Sequence, residues 1–201
     1  FGANPSTTTT TLPSDVPELL EGNLPLNAVI DVDLYIPGCP PHPAFIFEAL
    51  RSVLEGREPT IGRHSVCFNC TRRMVKGDAA EIRSPVGADL DPEVCFLSQG
   101  CLCFGSVTLD RCMAPCPQVG VPCFSCGGPA EPVILEPQKD VRSEVAHRMA
   151  HLTRIPEEAV VTAIEAQAKT HFAYAMASPV FRHKPTFLLR KWTRAHQGAS
   201  S

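Results

Sequence analysis

The stretch CMAPCPQVGVPCFSC, residues 112–126, places four cysteines within fifteen positions. Thiols this close together are typical of disulfides, of zinc ligands or of the ligands of an iron–sulfur cluster. On both sides of this stretch the chain is rich in Gly and Pro, and ten cysteines occur in all. Apolar periodicity is weak around most of them. We therefore expect metal bonds, rather than packed hydrocarbon, to order the middle of the chain.

The overall composition is that of an ordinary globular protein. Of the 201 residues, 44% are hydrophobic and 19% are charged, and the net charge at pH 7 is −3. This charge gives no indication of a nucleic-acid partner. No apolar run approaches the roughly 20 residues that a membrane-spanning helix requires. Ten cysteines among 201 residues are also a lower density than that of a small disulfide scaffold, which makes disulfides the weakest of the three interpretations.

The first region, residues 1–56, shows one unit of an α/β fold. The segment AVIDVDLYI, residues 28–36, predicts a strand, and PGCPP at residues 37–41 ends it. Residues 43–55 predict a helix, because Pro lies near the start, apolar residues recur on one face and Gly56 follows. Side chains at the carboxyl end of such a strand commonly form a site. The opening FGANPS resembles the inside of a loop, so we expect the chain to lack its N-terminal part.

Two further regions follow. Residues 57–133 contain nine of the ten cysteines. From Asp140, a predicted N-cap, apolar residues recur at helical spacing, and Pro156 opens a second predicted helix. A third helix is predicted over about residues 170–177, and a short amphipathic segment over residues 187–192. Residues 134–201 are therefore expected to form a helical extension.

The spacing of the cysteines divides most of them into two sets. The first group is Cys67, Cys70, Cys95 and Cys103, and the second group is Cys112, Cys116, Cys123 and Cys126. Cys39 and Cys101 are left over. Four thiolates suit either zinc or a [4Fe–4S] cluster. The Gly and Pro residues beside them favour the cluster, because such loops turn backbone N–H groups toward sulfur, but zinc remains open.

The order and spacing of the motifs resemble those of one protein family. The motifs are IPGCPP at residues 36–41, CFNCTRR at 67–73, CFLSQG at 95–100, LCFG at 102–105 with Thr108 and Cys112 after it, and GVPCFSCGGP at 120–129. Together they are similar to the small subunit of [NiFe] hydrogenases. Within that family they resemble the cytoplasmic type, which includes the methyl-viologen-reducing (F420-non-reducing) hydrogenases and the soluble sulfhydrogenases.

The resemblance implies a fold and a set of clusters. Residues 1–56 would be the end of a flavodoxin-like, doubly wound domain, and residues 57–133 a loop-rich iron–sulfur domain. Cys39 would be a ligand of the proximal cluster, nearest the Ni–Fe centre of a separate large subunit. The first group would hold the distal [4Fe–4S] cluster and the second group the medial [4Fe–4S] cluster. No catalytic residue is implied on this chain.

Two departures from the family pattern concern individual cysteines. No CxxC precedes Cys39, so the other proximal ligands are expected on a missing N-terminal part or on a separate chain. Cys101 and Cys103 compete for one ligand position of the first group. Cys103 is preferred because it begins the CxGxxTxxxC element that ends at Cys112, and Cys101 is then a spare thiol.

The function that the resemblance implies is electron transfer in a cytoplasmic complex that reaches a membrane only through partners. The chain would relay electrons between the Ni–Fe site of a large subunit and an external acceptor, such as a ferredoxin-like or flavin protein. Two alternatives stay open. One is a structural zinc-binding interaction module. The other is an electron-transfer subunit of a hydrogenase-like complex that lacks Ni–Fe activity.

Overall fold

The computed structural model describes residues 29–36, 38–60, 62–136 and 140–167, together with Asp15 and Leu26. The chain divides into two compact units, Phe1–Asp31 and Val32–Ser201. In the described part of the first unit, the carbonyl oxygen of Leu26 accepts hydrogen bonds from the backbone N–H groups of Val29 and Ile30, both at 3.0 Å. All elements named below belong to the second unit.

Helices and tight turns make up the regular structure of the described residues. The α-helices are α1 (Pro43–Leu54), α2 (Pro115–Gln118), α3 (Glu131–Leu135), α4 (Val141–Leu152) and α5 (Glu157–Ala166). Three single 3₁₀ turns, Val66–Phe68, Leu97–Gln99 and Gly105–Val107, lie between α1 and α2. Isolated bridges pair Ser65 with Leu109, Arg73 with Val94, and Thr108 with Pro129.

The strand predicted over residues 28–36 is wrong for the described residues 29–36. They form a turn, two bends and irregular backbone without a ladder. Val29, Ile30 and Tyr35 are exposed there. A strand is stable only when a neighbouring strand takes up its hydrogen bonds, and none of the described segments pairs with this one. The flavodoxin-like, doubly wound fold therefore stays a prediction.

Helix α1 confirms the helix predicted after the PGCPP segment. His42 is the N-cap, and its Nδ1 accepts a hydrogen bond from the backbone N–H of Ala44 at 3.3 Å. Proline at the first helical position has no N–H that needs a partner there. The apolar face of α1 is nevertheless largely uncovered. Phe47 and Leu54 are exposed, whereas Ala49 and Ser52 are buried.

Helices α4 and α5 confirm the two helices predicted from Asp140 and Pro156. The carboxylate of Asp140 accepts hydrogen bonds from the backbone N–H groups of Arg142 at 2.8 Å and Ser143 at 3.0 Å. The backbone N–H of Asp140 donates in turn to the Ser143 hydroxyl at 3.3 Å, and the two interactions form a capping box. None of the helices among the described residues has the length and apolar character needed to cross a bilayer. The predicted helix at 170–177 and the segment 187–192 lie outside the described residues.

One hydrophobic core joins the cysteine-rich region to the C-terminal helices. Helix α4 packs against α5 and against the 3₁₀ turns Leu97–Gln99 and Gly105–Val107. The largest fully buried side chains include Phe96, Phe104 and Met149. The middle of the chain therefore has more packed hydrocarbon than its weak periodicity predicts. The boundaries predicted near residues 56 and 133 stay predictions.

Candidate iron–sulfur sites

None of the ten cysteines forms a disulfide in the structure. Cys101, Cys103 and Cys123 are buried, whereas Cys39 and Cys116 are exposed; the remaining five are half-buried. Most of these thiols therefore lie at the boundary between the core and the surface. That position suits a group that must be held by protein yet exchange electrons with a partner.

The structure brings the first group together from three separate turns. Cys67 lies in the turn Val66–Phe68, Cys95 lies just before the turn Leu97–Gln99, and Cys103 lies just before the turn Gly105–Val107. Gly105 lies beside two of these thiols. A Cβ atom at Gly105 would lie 3.4 Å from the Sγ of Cys67 and 3.8 Å from the Sγ of Cys103. A side chain at this position would therefore fill space next to the thiols of the group.

Burial and neighbouring thiols favour the protonated form of Cys67, Cys95 and Cys103 in the absence of iron. The pKa of Cys67 is raised to about 12, chiefly by burial and further by the neighbouring thiols of Cys95 and Cys70. The pKa of Cys103 is also raised to about 12, chiefly by burial, with smaller contributions from Cys67 and Cys95. Cys67, Cys70 and Cys95 thus each influence the pKa of at least one other member of the group. As thiolates these side chains would repel one another. The positive charge of a metal ion or of the irons of a cluster would offset that repulsion.

Backbone N–H groups point at the sulfurs of the first group. The N–H of Cys123 lies 3.3 Å from the Sγ of Cys103. The N–H groups of Leu97 and Ser98 hydrogen-bond to Cys95 and oppose the rise that burial causes in its pKa. The N–H of Gly105 does the same for Cys103. Such donors stabilise negative charge on sulfur, which is what a thiolate-bound cluster requires.

The second group is only partly assembled. Burial raises the pKa of Cys112, and Cys126 and Cys116 raise it further, so these three thiols lie close together. Cys116 lies in the short helix α2. Cys123 occupies a different position, because after burial the largest influence raising its pKa to about 12 is Cys103, and Cys126 contributes less. Cys123 therefore lies between the two groups.

Cys39, the predicted proximal ligand, lies beside the second group. Its backbone N–H hydrogen-bonds to Cys126, and its thiol raises the pKa of Cys126, which burial and Cys116 raise more strongly. The following loop is attached to the same region, because the His42 N–H donates to the carbonyl oxygen of Arg111 at 2.6 Å. The assignment of Cys39 to a proximal cluster stays a prediction.

Cys101 lies apart from both groups. It is fully buried in the hydrophobic core. Burial raises its pKa, and Arg83, which hydrogen-bonds to it, opposes that rise; no other cysteine contributes. The assignment of Cys101 as a spare thiol stays a prediction.

Two buried hydroxyls have no hydrogen-bond partner among the described residues, namely Ser106 Oγ and Ser125 Oγ. Ser106 follows Gly105, and Ser125 lies between Cys123 and Cys126 with a φ of 70°. A buried hydroxyl without an acceptor costs about 1–3 kcal/mol, and the sulfurs of a bound cluster are acceptors. Four thiols, N–H donors and unpaired hydroxyls together fit an iron–sulfur cluster at the first group. At the second group, three assembled thiols and Ser125 fit a cluster once Cys123 joins them.

The arrangement of the described side chains gives less support to a site for one metal ion. Among residues that the structure describes, no three His, Cys, Asp or Glu side chains form a group that could hold one metal ion. A [4Fe–4S] cluster distributes its four cysteine ligands over separate irons, so its ligands need not converge on one point.

Sequence reasoning missed two charged residues at these sites. Asp110 is buried, and its carboxylate accepts hydrogen bonds from the N–H groups of Cys112 at 3.2 Å and Met113 at 2.9 Å. An Asp two residues before a turn is a recognisable signal for this bond. Arg148 of α4 acts on the thiols of Cys67 and Cys95, and no local pattern marks it.

The side chain of Arg72 cross-links two segments of the cysteine-rich region. Its guanidinium donates to the carbonyl oxygens of Pro117 at 2.9 Å and Val94 at 3.0 Å. It also lies over the ring of Phe96, 4.0 Å from the centroid. Arg72 therefore ties the segment before Cys95 to the helix that carries Cys116.

Comparison with known proteins places these motifs among hydrogenase subunits. The chain is 38% identical over 125 residues to a subunit of the F420-non-reducing hydrogenase of Methanococcus voltae, covering 61% of this chain and 44% of that protein. It is 39% identical over 127 residues to the protein named as an iron-sulfur subunit of the F420-non-reducing hydrogenase of Archaeoglobus profundus, covering 58% and 40% respectively. It is 29% identical over 106 residues to the delta subunit of sulfhydrogenase 2 of Pyrococcus furiosus, covering 53% and 38%.

No family model matches the chain. The chain spans less than half the length of these curated relatives. Over more than half of its own length, then, the chain is similar to subunits of hydrogenases, one of which is named as an iron–sulfur subunit.

Proposed function

We propose that the chain is an electron-transfer subunit of a hydrogenase complex, of the type of the [NiFe] small subunit. The observation that carries the proposal is the assembly of the first group. Its thiols come from three separate turns of the chain, with those of Cys67 and Cys103 beside Gly105. Backbone N–H groups are directed at the sulfurs of the group. The names of the relatives support a hydrogenase complex as the setting.

The residues of the chain perform three tasks in this function. The thiols of both groups bind iron, and Cys123 would join Cys112, Cys116 and Cys126 to complete the second site. Phe96, Phe104 and Met149 exclude water from one side of the first group. N–H donors and the hydroxyls of the two serines stabilise charge on sulfur. When bound, [4Fe–4S] clusters supply one-electron transfer.

The partners follow from this function. The Ni–Fe site belongs to a large subunit, and a ferredoxin-like or flavin protein accepts or supplies the electrons. Cys39 contributes to a third, proximal cluster whose other ligands come from a segment or chain outside this sequence. We place the assembly in the cytoplasm.

The proposal is tested by anaerobic purification of the complex from its source. We expect a brown protein that co-purifies with a [NiFe] large subunit and reduces a dye with H2. Cys123→Ser should reduce the rate by at least tenfold, because it removes a thiol that lies between the two groups. Cys101→Ser is the matched control, since it removes a buried thiol of neither group, and it should retain the rate.

A colourless, zinc-containing preparation would overturn the proposal in favour of an interaction module. A brown complex without nickel that fails to react with H2 would be consistent with electron transfer but would contradict the assignment to a hydrogenase. Equal rates in Cys123→Ser and Cys101→Ser would contradict the assignment of Cys123 to the path of the electrons.

A further inference from the structure

One hydrogen bond joins the two cysteine groups directly. The backbone N–H of Cys123, which the spacing assigns to the second group, lies 3.3 Å from the Sγ of Cys103 in the first group. The carbonyl oxygen of Cys123 in turn accepts a hydrogen bond from the N–H of Phe104 at 3.1 Å. Cys103 and Cys123 are only 8% and 6% exposed. The two groups therefore meet at a buried contact between one thiol and one backbone amide.

Gly105 keeps this contact narrow. A Cβ atom at this position would lie 3.4 Å from the Sγ of Cys67, 3.8 Å from the Sγ of Cys103 and 3.7 Å from the Cβ of Cys123. Its backbone is not in the left-handed conformation that favours glycine, so the surrounding atoms alone limit the side chain. A methyl group would fit there at ordinary van der Waals distance. The two further carbons of a valine would press on atoms of both groups.

Hydrogen bonds fix the turn that carries the contact. The hydroxyl of the buried Thr108 donates to the carbonyl oxygen of Phe104 at 2.6 Å. The carbonyl oxygen of Thr108 accepts a hydrogen bond from the N–H of Val66 at 2.9 Å, and that of Val107 accepts one from the N–H of Ala130 at 2.7 Å. The contact between the groups is therefore held by backbone on several sides.

Two other links between the groups pass through more atoms. In one, a carboxylate oxygen of Asp110 lies 3.7 Å from the Sγ of Cys112, and its other oxygen accepts a hydrogen bond from the side-chain amide of Asn69. In the other, the guanidinium of Arg72 donates to the carbonyl oxygen of Pro117 at 2.9 Å. Each of these links requires at least one whole side chain in addition to the cysteines. The direct contact requires only atoms of two predicted ligands.

We propose that electrons pass between the two groups through the hydrogen bond from the N–H of Cys123 to the Sγ of Cys103. One electron leaves the site at the second group, which is oxidised, and enters the site at the first group, which is reduced; the roles reverse when turnover reverses. No bond forms or breaks, and the amide proton stays on Cys123. Gly105 is a positioning residue, because it lets the two cysteines approach each other. The inference rests on the proposed function, because it requires a cluster at each group.

The experiment is EPR spectroscopy of the anaerobically purified complex with both sites reduced. The signal that Cys116→Ser alters is assigned to the second group, and the signal that Cys70→Ser alters is assigned to the first. Each reduced site splits the signal of the other, and this splitting reports the contact between them. Gly105→Val should narrow the splitting. It should also slow the reduction of a dye with H2 about tenfold, because a displacement of about 1 Å between groups that must approach each other can cost up to about a hundredfold in rate.

Three control variants separate the direct contact from the other links. Gly62→Val adds the same side chain at an exposed glycine, whose Cβ atom would meet only the ring of His64. Arg72→Met and Asn69→Ala each break one of the two longer links and leave the direct contact in place. All three variants should retain the splitting and the rate of dye reduction.

The outcomes distinguish this inference from the function on which it rests. Absence of iron–sulfur signals in the unsubstituted complex would contradict the proposed function. Two signals without mutual splitting in that complex, or an unchanged splitting in Gly105→Val, would contradict the inference alone. If Gly105→Val does not retain both signals, Arg72→Met and Asn69→Ala decide the question. A splitting retained in both of them supports the direct contact, and a splitting narrowed in either overturns it.

Discussion

Several single thiols in this chain are kept neutral by burial while no metal is bound. Cys67, Cys103 and Cys123 all have a pKa raised to about 12, chiefly by burial. As neutral thiols they can lie next to hydrophobic side chains without the cost of a buried charge. Iron displaces their protons when it binds, so cluster assembly releases protons and depends on pH.

The raised pKa values predict how the stability of the iron-free chain depends on pH. A thiol whose pKa is higher in the folded than in the unfolded chain stabilises the fold below its ordinary pKa of 9.0, and this contribution is lost as the pH rises toward 12. For each such thiol, the free energy of unfolding should fall by up to about 1.4 kcal/mol per pH unit above 9. Urea unfolding of the reduced, iron-free chain at pH 7 to 10 measures this.

The comparison for this prediction is Cys103→Ala, which lacks one of the thiols. Its free energy of unfolding should fall less steeply above pH 9 than that of the unsubstituted chain. A stability that is flat or rises over this range would contradict the description of these thiols as buried and neutral.

At the scale of elements, α4 is the support of the first group. The cysteines of the group lie in or near 3₁₀ turns of three residues each, which make few hydrogen bonds of their own. Two of these turns pack against α4, whose N-terminus is fixed by the Asp140 capping box. The geometry of the thiols therefore depends on a helix that lies some forty residues later in the sequence.

Truncation of the buried face of α4 should damage both the fold and the site. Met149 is fully buried, so Met149→Ala should destabilise the protein by about 2–5 kcal/mol. It should also speed the loss of the cluster at the first group on exposure to air. Denaturant unfolding and the decay of visible absorbance measure the two effects.

Met74→Ala is the matched control, because Met74 is 49% exposed. This change should cost less than about 0.5 kcal/mol. If both variants lost stability and cluster equally, α4 would not be the support described.

At the scale of the whole molecule, the sequence predicted what local patterns determine. Helices α1, α4 and α5 were predicted from caps, Pro positions and apolar periodicity. All of these signals lie within or next to the helical segment. The division of the cysteines into two groups of four also came from their spacing, and the assignment of these groups as ligand sets stays a prediction. The preference for Cys103 over Cys101 came from the CxGxxTxxxC element of the family pattern and also stays a prediction.

The rest depends on contacts between distant segments. Residues 28–36 have the composition of a strand, but a strand requires a partner, which no local pattern supplies. Cys123 has the spacing of the second group, yet its backbone N–H lies 3.3 Å from the Sγ of Cys103, a member of the first group. The hydrogen bonds of Asp110 form only when the Asn69 loop is brought beside the second group. Charge placement of this kind is a property of the fold and not of any motif.

The central claim, that two sets of thiols hold two separate clusters, is tested most directly by iron analysis of three proteins. The complex with the unsubstituted chain is compared with Cys70→Ala and Cys112→Ala, one change in each group. Iron and acid-labile sulfide should fall by about four atoms each per chain in either variant, with the remaining cluster spectrum intact. Zinc in place of iron, or the loss of all iron from a single substitution, would contradict the account.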